Sequence, residues 1–61
     1  MTRIEQLVVR CTTLMALRIE LRKLQADARH VEEQYGIGSA IVCLEKALAE
    51  HERELELEDD A

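Results

Sequence analysis

The sequence predicts an all-α protein, a single helical hairpin, and two features of its 61 residues support that prediction. The chain lacks Pro, Phe and Trp and is rich in Leu, Ala, Glu, Arg and Lys, a composition typical of long helices. Its two glycines, Gly36 and Gly38, lie close together near the middle. Because glycine is common where helices end, this pair divides the single domain, residues 1–61, into helix, turn and helix.

The first helix is predicted from about residue 3 to residue 35, on apolar residues that recur in steps of three and four. The steps alternate as in a coiled coil, with one extra step of three between Leu14 and Leu17 that marks a stammer. A stripe this narrow is suited to packing lengthwise against another helix. Its members are Ile4, Leu7, Cys11, Leu14, Leu17, Leu21, Leu24, Ala28, Val31 and Tyr35.

The second helix is predicted from about residue 39 to residue 58, after a turn at residues 36–38. Ser39 is a suitable N-cap, because its hydroxyl can accept a hydrogen bond from a free backbone N–H of the first turn. Acids near a helix C-terminus oppose the macrodipole, so we expect residues 58–61 to form a frayed acidic tail. The apolar stripe of this helix consists of Ile41, Leu44, Leu48, His51 and Leu55.

The predicted helices differ in length, at about 50 Å and about 30 Å for a rise of 1.5 Å per residue. The shorter second helix would leave roughly the first 15 residues uncovered, and soluble monomers rarely expose a contiguous apolar patch above a few hundred Å². We therefore predict a homodimer forming a four-helix or coiled-coil-like bundle. The predicted interface residues are Ile4, Leu7, Val8, Cys11, Leu14, Met15 and Ile19.

A different fold is possible if the β-branched residues near the N-terminus make Leu7 to Leu14 a strand. Helices from Met15 to Tyr35 and from Ser39 to Glu58 would then follow. In that form the chain resembles the ribbon-helix-helix repressors, and the turn from Gly36 to Ser39 is similar to their inter-helix turn. The resemblance implies DNA binding, which the negative net charge opposes.

Charge divides the chain into a basic first half and an acidic second half. Residues 1–31 carry six basic and three acidic side chains, whereas residues 32–61 carry two basic and ten acidic ones, which gives the net charge of −5. Folding the chain back lays the acidic helix beside the basic one. The charge pattern therefore favours both the hairpin and an antiparallel partner.

Four polar residues of the first predicted helix follow helical spacing beside its apolar stripe and predict an exposed recognition stripe: Arg18, Arg22, Gln25 and Arg29. Basic residues so spaced are suited to contacting successive phosphates. In length and architecture the chain resembles the repressor-of-primer hairpins, two-helix chains that dimerise into four-helix bundles and bind paired RNA loops through one helical face. The resemblance implies RNA binding as an alternative function, although the acidic second helix opposes it.

The sequence carries no pattern that predicts catalysis, a metal site or a cofactor. Cys11, Cys43, His30 and His51 lack the close spacing of zinc ligands. The segment 36–38 lacks the later glycine and the preceding strand of a phosphate-binding loop. We expect no enzyme activity, no metal, no cofactor and no small-molecule substrate.

The expected location is the cytoplasm. The two cysteines are predicted to remain unpaired, which suits a reducing compartment. Charged residues interrupt every apolar run before the roughly 20 residues that a membrane-spanning helix needs.

The function predicted from these patterns is that of a small protein-binding regulator of the anti-activator, inhibitor or adaptor type. It acts through helix–helix contacts as a homodimer. The expected partners are a second copy of the chain and another protein, and nucleic acid is not the expected partner. A small chaperone or structural subunit of a larger helical assembly is the other alternative.

Overall fold

The structure is a computed structural model that describes residues 2–60, and the side chains of residues 2–58. Within that range the chain forms two helices and no strand: α1, Arg3–Asp27, and α2, Val31–Asp60. The two helices pack against each other as a hairpin. This confirms the all-α hairpin, and it places Leu7 to Leu14 inside α1, so the predicted alternative with a strand is wrong.

The turn lies at residues 28–30, so the predicted turn at 36–38 is wrong. Ala28 leaves the helical conformation with φ −67° and ψ 129°, and its backbone N–H donates to the Gln25 carbonyl at 3.2 Å. The Gln34 side-chain amide then donates to the Ala28 carbonyl at 3.0 Å, which satisfies an acceptor at the end of α1. Both glycines lie within α2, and neither has a positive φ.

The relative lengths of the helices are the reverse of the prediction, since α1 has 25 residues and α2 has 30. An ion pair between Arg3 and Glu54 joins the first turn of α1 to α2. The predicted overhang of the first helix is therefore wrong, because α2 covers α1 to its start. The acidic end of α2 continues as helix to Asp60 where a frayed tail was expected from residue 58. Ala61, the last residue of that predicted tail, lies outside the described residues.

The residues of the first helix that face α2 recur in strictly alternating steps of four and three. We call this set of residues the inner stripe. The predicted stammer is wrong: the stripe continues through Arg18 and Gln25, which are half-buried, while Leu17 and Leu24 are exposed. Arg18 fits here because its aliphatic stem can pack while its charged end reaches water, and the Gln25 amide donates to the Gln34 carbonyl of α2. The inner stripe consists of Leu7, Cys11, Leu14, Arg18, Leu21, Gln25 and Ala28.

The packing stripe of α2 agrees with its prediction. Ile41 and Leu48 are buried, and Leu44, His51 and Leu55 are half-buried. The core remains small, because the buried apolar residues among those described are Leu7, Ala28, Ile41 and Leu48. A chain this short buries only about 60% of its unfolded surface, so its stability as a lone hairpin is marginal.

The start of α1 is set by Thr2, which is its N-cap. The Thr2 hydroxyl oxygen accepts a hydrogen bond from the Glu5 backbone N–H at 3.1 Å. Thr followed three residues later by Glu is the capping-box pattern, so the residues themselves mark this boundary.

Candidate interaction surface

The hairpin separates the seven predicted interface residues into two groups. Leu7 is fully buried, and Cys11 and Leu14 are half-buried on the inner stripe, where α2 already covers them. The other four stay exposed by 39–54% of their surface. We call these four the apolar row: Ile4, Val8, Met15 and Ile19.

The apolar row lies along one face of α1, because its residues are spaced by four, seven and four positions. Thr12 continues the row at the gap between Val8 and Met15. Its hydroxyl donates to the Val8 carbonyl at 2.9 Å, so the polar atom of Thr12 already has a partner within the helix. The row is therefore an almost uninterrupted apolar strip about 20 Å long, at 1.5 Å per residue.

An ion pair shows which side of the hairpin carries the apolar row. Arg22, three residues after Ile19, contacts Glu45 of α2 at 3.2 Å. Glu45 in turn follows Val42 by three residues, so Val42 borders the same side of the hairpin. Val42 and Tyr35, seven residues earlier, are both exposed, and they extend the apolar surface toward the turn.

The opposite side of the hairpin is marked by the Arg3–Glu54 ion pair. Leu17 and Leu24 lie 14 and 21 residues after Arg3, which places them on this side of α1. A groove of about 260 Å³ runs here between the helices, and it is lined by Val9, Arg10, Thr13, Leu14 and His51. The Nδ1 atom of His51 is enclosed and has no hydrogen-bond partner among the described residues.

The predicted recognition stripe does not form one exposed surface. Arg18 and Gln25 are half-buried on the inner stripe, and Arg22 is paired with Glu45. Arg29 is exposed but lies in the connection between the helices, because α1 ends at Asp27. The four residues therefore do not share one solvent-exposed face of a single helix.

A second groove near the turn shows why a glycine occurs in α2. The Gln25 side chain crosses from α1 and donates to the Gln34 carbonyl at 3.3 Å. A Cβ at Gly38 would stand 3.1 Å from the Gln25 amide nitrogen, a tight contact. The sequence does not predict this crossing, because the spacing of Gln25 predicts a solvent-exposed side chain. The groove, about 530 Å³, is lined by Gln25, Gln34, Tyr35, Gly38, Ser39, Val42 and Cys43.

The described side chains form no cluster of three or more His, Cys, Asp or Glu residues that could hold a metal ion. Cys11 is half-buried and Cys43 is exposed, and both are unpaired. Within residues 2–60, neither helix is long and apolar enough to cross a membrane. No known family model, curated protein or solved structure matches the chain.

Proposed function

We propose that this chain is a non-enzymatic protein-binding hairpin, a small regulator of the inhibitor, anti-activator or adaptor type that first associates with a second copy of itself. The supporting observation is the apolar row, which stays 39–54% exposed although α1 is already packed against α2 on another side. Four large aliphatic side chains aligned on one helix form a patch of the kind that marks interaction sites.

The small core supports the same proposal. The four buried apolar residues among those described, one of them an alanine, provide little hydrophobic stabilisation for two helices that extend over 47 Å. Chains of this size usually gain further stability from disulfides, a metal or oligomerisation. Both cysteines are unpaired, so a homodimer in the form of a four-helix bundle is the source of stability that we propose.

The mode of binding follows from the shape of the surface. A strip of apolar residues on a helix fits against another helix, with aliphatic side chains supplying affinity and charged flanking residues supplying selectivity. Arg22 and Glu45 form such a flank at the turn end of the apolar row. The two unpaired cysteines favour a reducing compartment such as the cytoplasm.

Two isomeric variants test whether the apolar row is the binding surface. Val8 and Val9 are exposed to similar extents, 48% and 52%, but only Val8 belongs to the row. Val8→Glu and Val9→Glu have the same mass and the same net charge. We expect Val8→Glu to weaken self-association at least tenfold. An unpaired charge buried in an interface costs well over 1.4 kcal/mol of binding free energy, and about 1.4 kcal/mol corresponds to a tenfold change in affinity.

The measurement is molar mass by light scattering for both variants and the unaltered chain at matched concentrations. Val9→Glu should dimerise as the unaltered chain does, and Val8→Glu should shift toward the monomer mass. Equal dimerisation of the two variants would show that the row is not the interface. A monomeric unaltered chain would contradict self-association itself.

A further inference from the structure

We infer that two copies of the chain pair through the apolar row in antiparallel orientation, with a two-fold axis that passes α1 between Cys11 and Thr12. The inference rests on the proposed self-association and adds its geometry. Its first support is the spacing of the row, since steps of four, seven and four read the same in both directions along the helix. A two-fold axis perpendicular to α1 maps such a row onto itself.

The antiparallel arrangement gives each member of the apolar row an apolar neighbour. Ile4 of one copy lies opposite Ile19 of the other, and Val8 lies opposite Met15. Thr12 lies next to the axis, where its hydroxyl already donates to the Val8 carbonyl and no polar atom is left without a partner. The interface is isologous, the common type for a two-fold dimer.

The charge distribution along the hairpin is the second support. Residues 16–44, the half that contains the turn, carry four basic and four acidic side chains, so the whole net charge of −5 lies on residues 1–15 and 45–61. These two segments share one end of the hairpin, because Arg3 contacts Glu54. We call this end the acidic end.

Antiparallel pairing places the two acidic ends at opposite ends of the dimer, and parallel pairing places them side by side. With the axis between residues 11 and 12, α1 of the second copy brings Arg18, Arg22 and Lys23 alongside the acidic end of the first. The acidic end of each copy then lies beside the neutral half of the other and away from the second acidic end, which favours this orientation over the parallel one.

Distances between spin labels on the two copies test the orientation. We choose Glu5, Ala16 and Lys23, because all three are exposed and lie on one side of α1, outside the apolar row. Each is changed to Cys in a chain that also carries Cys11→Ala and Cys43→Ser. Unlabelled versions are first checked for dimer mass.

Antiparallel pairing separates equivalent residues along the axis by about 3 Å for each position away from the two-fold axis. The expected axial separations are therefore about 20 Å at residue 5, about 14 Å at residue 16 and about 35 Å at residue 23. The ordering, with residue 23 farthest apart and residue 16 closest, supports the inference. Equal distances at the three sites in a chain that still dimerises overturn it and leave the proposed self-association intact.

Salt dependence gives a second readout that requires no label. Two copies with a net charge of −5 each repel one another, and the repulsion is strongest when the acidic ends lie side by side. Raising the salt from 50 mM to 500 mM should therefore tighten an antiparallel dimer by less than about threefold. A dimer that becomes more than about tenfold tighter with salt would have its acidic ends together, and that result overturns the antiparallel orientation. Loss of the dimer under all conditions would instead contradict the proposed function.

Discussion

Leu7 and Val8 are adjacent apolar residues whose surroundings differ completely. Leu7 belongs to the inner stripe and has no exposed surface, whereas about half of Val8 faces solvent on the apolar row. A single step along a helix turns the side chain by about 100°. Two distinct apolar surfaces therefore lie on one helix, one packed against α2 and one exposed to solvent.

Truncating Leu7 should strongly destabilise the hairpin. We expect Leu7→Ala to lower the free energy of unfolding by about 2–5 kcal/mol, because it removes a fully buried side chain and leaves a cavity. Leu57→Ala is the matched control, since Leu57 is 66% exposed, and it should change stability by less than about 0.5 kcal/mol. Urea denaturation followed by circular dichroism at one chain concentration measures both. Similar effects of the two variants would contradict the position of Leu7 in the core.

Periodicity predicted the most buried apolar residues but not the polar ones beside them. Leu7, Ile41 and Leu48 were all placed correctly on packing stripes. Arg18 and Gln25 were expected to be exposed, since a count of apolar residues ignores polar side chains with long stems. Their half-buried positions depend on α2, whose register the spacing within α1 alone does not show.

Each helix begins and ends for reasons that act at different ranges along the chain. The start of α1 is determined by neighbouring residues, because Thr2 and Glu5 form a capping pattern within four residues. The end of α1 depends on Gln34, whose side chain reaches back to the Ala28 carbonyl from the next helix. Asp27 to His30 contains no Gly or Pro, so the turn could not be located from residue preferences.

The glycines led to a wrong position for the turn, because the free-energy cost of a glycine inside a helix is small. A glycine inside a helix is about 1 kcal/mol less favourable than alanine, and tertiary packing can outweigh that amount. Gly38 lies where the Gln25 side chain crosses α2, and Ile41, three residues later, is buried against α1. The contacts that keep this segment helical come from α1 and are not visible in the local sequence.

Substituting Gly36 tests the position of the turn. Apart from its two chain neighbours and the backbone of its own helix, no atom stands within 4 Å of a Cβ built at Gly36, and the residue lies within α2. We expect Gly36→Ala to raise the free energy of unfolding by about 0.5–1 kcal/mol, because alanine favours the helix. Gly38→Ala should give a smaller gain, since the Gln25 amide must move aside. Thermal unfolding by circular dichroism measures both, and a destabilising Gly36→Ala would indicate a turn at this position.

The complete hairpin supports the proposal of a partner for a reason that differs from the one the sequence suggests. The sequence predicts a dimer because the first predicted helix extends beyond the second. In the structure α2 covers α1 to Arg3, yet the apolar row and Val42 remain exposed on one side. The apolar surface that stays exposed therefore runs along one side of the hairpin and does not lie at its end. That distinction depends on the position of the turn.

The central claim is that a second copy covers the apolar row and supports the hairpin. The measurement that tests it most directly is a dilution series of the unaltered chain, with molar mass followed by light scattering and helicity by circular dichroism. We predict a mass of twice the chain at high concentration, and a joint decrease of mass and helicity on dilution, because the small core of one hairpin is only marginally stable. A monomer mass with unchanged helicity at every concentration would contradict the claim.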